Sequence, residues 1–312
     1  MKRLLLTRDF PGPVDSLRSR FEVTIRDQGG LTPDQARDAL DEFDAILCTL
    51  GDAFTTEAFA GTPRCRMIAN FGVGYNHIAT DAARTAGVTV SNTPGAVTDA
   101  TADIALTLML MTARRAGEGE RAVRAGQWPG WGPGQFLGTH LTGKRLGIVG
   151  MGRIGQAVAH RAHHGFSMPV IYHNRSRKEV DVPSRQVDDL ASLMNQSDVV
   201  VVTVPGGAET RHLIDADALS RLNDGAIFVN VSRGDVVDEA ALIAELQTGR
   251  ISAGLDVYEN EPHVPDALTT LDNVTLLPHL GTAAVEVRAA MGRMAIDNLI
   301  AWDEGRKPPN AV

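Results

Sequence analysis

Cysteine is nearly absent: the 312 residues hold two, Cys48 and Cys65, with no CxxC spacing. That argues against a disulfide framework and fits a reducing cytoplasm. Two isolated cysteines read as small apolar residues rather than as chemistry. Long apolar runs are missing too. The start "MKRLLLTRDF" has only three leucines before Thr7-Arg8-Asp9, too short for a signal-peptide core, and no later run approaches the length of a membrane span. Positive charge is also short: 30 Lys+Arg stand against 38 Asp+Glu, a net charge of −8. Nucleic-acid binding needs a basic face to replace counterions, so neither that partner class nor a membrane is expected. No internal repeat or low-complexity tract stands out. What remains, 43% hydrophobic and 22% charged residues, is the composition of a soluble cytoplasmic protein long enough for two domains.

Short apolar runs alternate with helical patterns from the first residues. "RLLLT" (3–7), "FEVTI" (21–25), "DAILCT" (44–49), "CRMIAN" (65–70) and "GVTVSN" (87–92) read as strands, with helices over 31–42 and 80–86. Such alternation implies a parallel sheet covered on both faces. Residues 98–128 read as one long helical stretch with Thr98 as a cap, too apolar between Ile104 and Met111 for a surface helix, and expected to pack between two domains. "WPGWGPGQFLG" (128–138) reads as an irregular loop carrying two tryptophans. A second series of strands is expected at 145–149, 169–173, 198–203, 225–231, 251–256 and 274–277. The last helix, over 286–302, is expected to return to the first domain.

"KRLGIVGMGRIGQAVAHRA" sets Gly150-x-Gly152-x-x-Gly155 between an apolar strand and an amphipathic helix. The first glycine allows a sharp turn, the second lets backbone approach a pyrophosphate, and the third lets helix and strand pack closely. Helix-start N–H groups then face the anion. The next strand ends at "IYHNRSRK", with Asn174 where a ribose-binding carboxylate belongs in an NAD-type site. Asp or Glu would repel a 2′-phosphate, whereas Arg175, Ser176 and Arg177 would welcome it, so the stretch reads as NADP-preferring. Lys178 reads as a solvated loop charge. His160, His163 and His164 share a helical face, but no Cys or carboxylate is spaced in sequence to join them, so no metal is expected.

Three more segments close strands in the second half: "FVNVSRGDVVDEAAL", "AGLDVYENEP" and "LLPHLGTAA". Together with "NFGVGYNHI" and the glycine loop they resemble the D-isomer-specific 2-hydroxyacid dehydrogenase family over nearly the whole chain. The resemblance implies an α/β fold of two Rossmann-like domains with parallel sheets. A flavodoxin-like substrate domain (1–98 and 286–312) would flank a dinucleotide-binding cofactor domain (99–285), with the active site in the cleft between them.

The residue chemistry can also be read directly. Reducing a 2-oxo acid needs a cation for the carboxylate, a donor at the carbonyl oxygen and a hydride. Arg233 can grip the carboxylate and carbonyl oxygens, His279 can donate the proton, and Glu261 can hold the other imidazole nitrogen and favour its charged form. The family's Arg, Glu and His motifs assign the same roles. Glu259 competes with Glu261 by position, but its offset from Asp256 departs from the family pattern.

The resemblance implies further contacts. Val73 and Gly74 would clamp the substrate carboxylate through backbone N–H groups. Gly150, Gly152, Arg153, Ile154 and Gly155 would hold the pyrophosphate of NADP(H). Val204, Pro205 and Thr210 would line the nicotinamide side, although Gly206-Gly207 follow the proline where many relatives have Leu-Thr. Val231, Ser232, Arg233 and Asp256 would do the same, with Thr101, His279 and Gly281. The family also implies a homodimer built around 98–141, with Trp131 reaching the partner's substrate pocket. The implied substrate is a small 2-oxo acid, glyoxylate or hydroxypyruvate, with hydroxyphenylpyruvate and 2-ketogluconate as competitors. A dinucleotide-sensing corepressor is the rival of another class, and the intact Arg-Glu-His set argues against it.

Overall fold

The computed structural model describes residues 1–26 and 28–312. They form two compact units, Met1–Val97 with Thr282–Val312, and Thr98–Gly281. The first unit holds β1 (Lys2–Leu6), α1 (Asp15–Arg18), β2 (Phe21–Ile25), α2 (Pro33–Glu42), β3 (Ala45–Thr49), β4 (Met67–Phe71), α3 (Thr80–Thr85) and β5 (Thr89–Ser91). The second runs α4 (Thr98–Ala113), α5 (Ala116–Arg124), β6 (Leu146–Val149), α6 (Arg153–Phe166), β7 (Val170–His173), β8 (Ser184–Gln186), α7 (Leu190–Gln196), β9 (Val199–Val202), α8 (Ala216–Ser220), β10 (Ile227–Asn230), α9 (Glu239–Gln247), β11 (Ser252–Leu255), α10 (Asp266–Thr269) and β12 (Val274–Leu276). Helix α11 (Val285–Asp303) completes the first unit, where it packs on β4.

In the first unit the five parallel strands are ordered β2-β1-β3-β4-β5, the flavodoxin-like arrangement. Alternate residues of β3 feed two cores, Ile46 and Cys48 on one face, Ala45 and Leu47 on the other. In the second unit seven parallel strands run β12-β11-β10-β9-β6-β7-β8, the doubly wound dinucleotide-binding order extended by one strand. Central strand β9 is four buried valines, as a strand covered on both faces demands. Both units thus have strand C-termini along one sheet edge, where a doubly wound fold places its chemistry.

The expected helix over 98–128 is two helices. Arg115 takes a left-handed φ of 50° between α4 and α5. The break has a tertiary cause: Thr139 N–H donates to the Ala113 carbonyl at 2.7 Å, drawing it out of helical continuation. Thr98 is the first residue of α4 rather than a cap outside it. Within its unit, α4 packs on α6 and on β10, β11 and β12. The polar edge strand β8 (Ser-Arg-Gln) escapes sequence reading, since it has no apolar alternation to betray it. Among the described residues no helix is long and apolar enough to cross a membrane.

Candidate active site

The glycine loop joins β6 to α6. Gly150 has a φ of +98°, and a Cβ there would come within 2.9 Å of the Val204 backbone nitrogen. A Cβ at Gly155 would sit 2.3 Å from the Gly150 carbonyl oxygen, so helix and strand could not close together. Gly152, at the N-cap of α6, faces open space, and no side chain caps the helix. The first-turn N–H groups of Arg153, Ile154 and Gly155 are therefore open to an anion. Thr203 Oγ1 donates to the Gly150 carbonyl at 2.6 Å, fastening the loop to the end of β9.

Asn174 is committed to local structure. Its Oδ1 accepts from Met151 N–H at 3.2 Å and its Nδ2 donates to the Ser176 carbonyl at 2.7 Å. It ties the glycine loop to the cationic turn and adds no charge of its own. Arg175 is exposed, and its guanidinium is 2.6 Å from Glu209 Oε2, also exposed. Sequence reading missed Glu209, because it arrives from the loop after β9. Thr210 steadies that loop by donating from Oγ1 to the Pro205 carbonyl at 2.7 Å. Ser176, Arg177 and Lys178 lie in the exposed turn, which Tyr172 anchors through its hydroxyl, accepting from Lys178 N–H at 3.1 Å.

Arg233, Glu261 and His279 come together in the second unit. Arg233 follows β10 after the buried Val231 and Ser232. Gly234 then presses on the Tyr258–Glu259 backbone: any Cβ there would lie 1.9 Å from the Tyr258 carbonyl carbon. This contact brings the Arg233 turn against the loop that bears Glu261. His279 Nδ1 is 2.8 Å from Glu261 Oε2, and Tyr258 N–H donates to Glu261 Oε1 at 3.1 Å. Both carboxylate oxygens are thereby oriented. Glu259 is occupied elsewhere, 3.0 Å from both Arg211 and His212.

Burial pushes the Glu261 carboxyl up, but the hydrogen bond and charge of His279, the Tyr258 N–H and the Arg233 charge outweigh it and hold the group below its ordinary 4.5. Burial pulls the Arg233 guanidinium down, with Glu261 and Asp235 opposing; an arginine remains charged regardless.

His279 itself has a left-handed φ of 55°, costly for a side chain with a Cβ. Its turn is held from several sides. Asp256, buried, accepts from Leu280 N–H at 2.6 Å and Gly281 N–H at 2.8 Å, while Thr101 Oγ1 donates to the Gly281 carbonyl at 3.1 Å. Burial pushes the Asp256 carboxyl up, against those two hydrogen bonds. Asp256, Thr101 and Gly281 thus act on the histidine's placement.

In the first unit, the turn after β4 has its carbonyls turned inward. Asn70 Nδ2 donates to the carbonyls of Gly72 (3.1 Å) and Gly74 (2.9 Å), and Asn92 Nδ2 donates to that of Val73 (2.9 Å). In a trans peptide the N–H points opposite to its carbonyl. The N–H groups of Val73, Gly74 and Tyr75 therefore point away from the asparagines, and none has an acceptor among the described residues. Successive backbone donors of this kind make an anion-binding nest.

Cys48 and Cys65 are buried free thiols; burial pushes Cys65 to about 12 and Cys48 well above its usual value, so both stay protonated. The rings of His160 and His164 meet at 4.6 Å between centroids, tilted by 59°, and Asp181 Oδ2 approaches His160 at 3.4 Å. That carboxylate comes from a distant segment, which corrects the expectation that none was near. No metal-holding group of three is found among the described residues.

The chain belongs to the D-isomer-specific 2-hydroxyacid dehydrogenase family and is an oxidoreductase of that family. The family description "D-isomer specific 2-hydroxyacid dehydrogenase, NAD binding domain" matches residues 106–281. A glyoxylate reductase of Pyrococcus horikoshii is 40% identical over 320 residues, covering 99% of this chain and 95% of that protein. One from Thermococcus kodakarensis is 41% identical over 322 residues, covering 99% and 96%. Among solved structures, an NADPH-dependent glyoxylate/hydroxypyruvate reductase from Sinorhizobium meliloti, in complex with NADP and malonate, aligns with a TM-score of 0.88 at 35% identity over 100% of this chain and 96% of that one. The open Gly152 cradle at the start of α6 fits the pyrophosphate of a nicotinamide dinucleotide.

Proposed function

We propose that this protein reduces a small 2-oxo acid, glyoxylate or hydroxypyruvate, to the D-2-hydroxy acid with NADPH, in the cytoplasm. The observation that carries the reading is the Glu261–His279 pair at 2.8 Å with Arg233 beside it. The bound nicotinamide supplies the hydride. Arg233 neutralises the substrate carboxylate and polarises its carbonyl. His279, oriented through Nδ1 by Glu261, gives a proton from Nε2 to the carbonyl oxygen. Val73 and Gly74 bind the carboxylate through their N–H groups. Gly150–Gly155 would hold the pyrophosphate, and Val204, Pro205, Thr210, Val231 and Ser232 would line the nicotinamide side. Initial rates with a panel of 2-oxo acids, each with NADPH and NADH, test this. Glyoxylate and hydroxypyruvate should lead with NADPH; a lead for hydroxyphenylpyruvate or 2-ketogluconate would reassign the substrate.

Cofactor choice turns on Arg175. A charge-assisted hydrogen bond to the 2′-phosphate contributes about 1.5–3 kcal/mol, so Arg175→Ala should raise KM for NADPH roughly ten- to hundredfold and barely move KM for NADH. Glu209 opposes this, since it neutralises the same guanidinium. Glu209→Gln should lower KM for NADPH a few-fold at most, because an exposed ion pair is weak. Equal effects of Arg175→Ala on both cofactors would make the turn an ordinary solvated loop.

A pH limit follows from Glu261. Its carboxyl is held below 4.5, so the pair survives above that value and is lost only as pH falls through the lower folded pKa. Reductive kcat/KM should keep its acid side down to about that range in the wild type. Glu261→Gln should lose rate at every pH and lack the acid limb; an unchanged acid limb would implicate another group.

The assembly proposed is a homodimer built on 98–141. That segment leaves Trp131 85%, Leu137 67% and Trp128 52% exposed, apolar surface of the sort that anchors interfaces. Trp131 would then line the partner's substrate pocket. Sedimentation at micromolar concentration should give a dimer, and a stable monomer would end this assignment.

A further inference from the structure

We propose that the C-terminal tail sets the carboxylate site from a distance, through a relay of asparagines ending at the Val73 carbonyl. The inference rests on the substrate reading above and adds the positioning residues behind it.

The tail closes the free edge of β5. Ala311 pairs antiparallel with Ser91, and Val312 N–H donates to the Val90 carbonyl at 2.9 Å. One residue earlier, the Asn310 carbonyl accepts from Asn92 N–H at 3.2 Å. Asn310 N–H in turn donates to Asn298 Oδ1 at 3.0 Å. Asn298 lies on α11 with 0% exposure, and its amide nitrogen donates to the carbonyls of Met294 (2.9 Å) and Asn92 (3.4 Å). The backbone of Asn92 is thus held on both sides, N–H by the tail and carbonyl by α11.

Two donors on this stretch reach the nest. Asn92 Nδ2 holds the Val73 carbonyl at 2.9 Å, and Thr93 N–H holds the Gly72 carbonyl at 3.0 Å. Those two carbonyls fix the directions of the Val73 and Gly74 N–H groups, because each peptide is a rigid plane. Asn298 is a buried polar side chain in an otherwise apolar helix face, beside Met291, Ala295 and Leu299. An apolar residue of that volume would need no partners there. Its satisfied amide makes sense as a fastener between tail, helix and the strand end that carries Asn92.

Every link lies in the first unit, whereas Arg233, Glu261 and His279 belong to the second, so the relay should act on substrate binding and leave the proton donor alone. Asn92→Ala frees the Val73 carbonyl and should raise KM for glyoxylate roughly fivefold or more at saturating cofactor, from the cost of one lost half-buried hydrogen bond. Its kcat should stay within about threefold, and cofactor affinity by fluorescence titration should not move. Deleting 308–312 should shift KM in the same direction. Val73→Pro, which removes one nest donor outright, separates the two readings. If Val73→Pro raises KM while Asn92→Ala and the deletion leave it at the wild-type value, the relay is wrong and the nest stands. If Val73→Pro has no effect in a protein with normal melting, the nest is not the carboxylate site and both fall. If Asn92→Ala lowers melting temperature, kcat and cofactor affinity together, the asparagine is merely structural and the proposal is overturned.

Discussion

His279→Ala is expected to lose roughly 10²–10⁴-fold in reductive kcat, the usual range for a positioned acid-base group. Cofactor binding should be intact, because the glycine loop and the cationic turn are built from other strand ends. The cause is geometric. Glu261 takes Nδ1 at 2.8 Å, which leaves Nε2 as the one ring nitrogen for the substrate oxygen. Reduction draws the proton from the imidazolium at Nε2, and alcohol oxidation returns it to the same nitrogen, so both directions should suffer together in His279→Ala. A loss under fivefold with normal cofactor affinity would assign the proton to another residue.

The second large effect is expected at Arg233. Arg233→Ala should cost roughly 10²–10³-fold in kcat/KM, the range for removing one preorganised donor from a site where charge develops. Arg233→Lys should recover little of it, since an ammonium keeps the charge but not the planar fork that meets two oxygens together. Burial sharpens the expectation: the guanidinium is desolvated against Glu261 and Asp235 rather than waving in solvent. Recovery of most of the activity in Arg233→Lys would reduce its role to bulk electrostatics.

Much of this arrangement was legible in sequence for physical reasons. The parallel sheets announce themselves through runs such as the four valines of β9, buried on both faces. Gly150, Gly152 and Gly155 are legible because their spacing reports steric demands that the structure imposes at close range. What stayed hidden depends on segments meeting in space. The helix break at Arg115 needs Thr139, which takes the Ala113 carbonyl. Glu209 reaches Arg175 from a loop 34 residues away. Asn70 and Asn92 look like ordinary polar residues at strand ends until they are found holding three consecutive carbonyls. Asp181 meets His160 only because the turn after β7 folds back towards α6. Choosing between Glu259 and Glu261 is a matter of which loop oxygen faces the histidine, and local composition does not encode that.

The claim at the centre is that this chain turns a 2-oxo acid into a 2-hydroxy acid with hydride from NADPH and a proton from His279. Its most direct measurement is product stoichiometry: glyoxylate and NADPH incubated with the protein, with glycolate identified chromatographically and NADPH followed by absorbance. Equimolar glycolate formation and NADPH loss are expected in the wild type, and both should be slowed roughly 10²–10⁴-fold together in His279→Ala. Folded, dinucleotide-binding wild-type protein that forms no glycolate, or that consumes NADPH without forming it, would contradict the account.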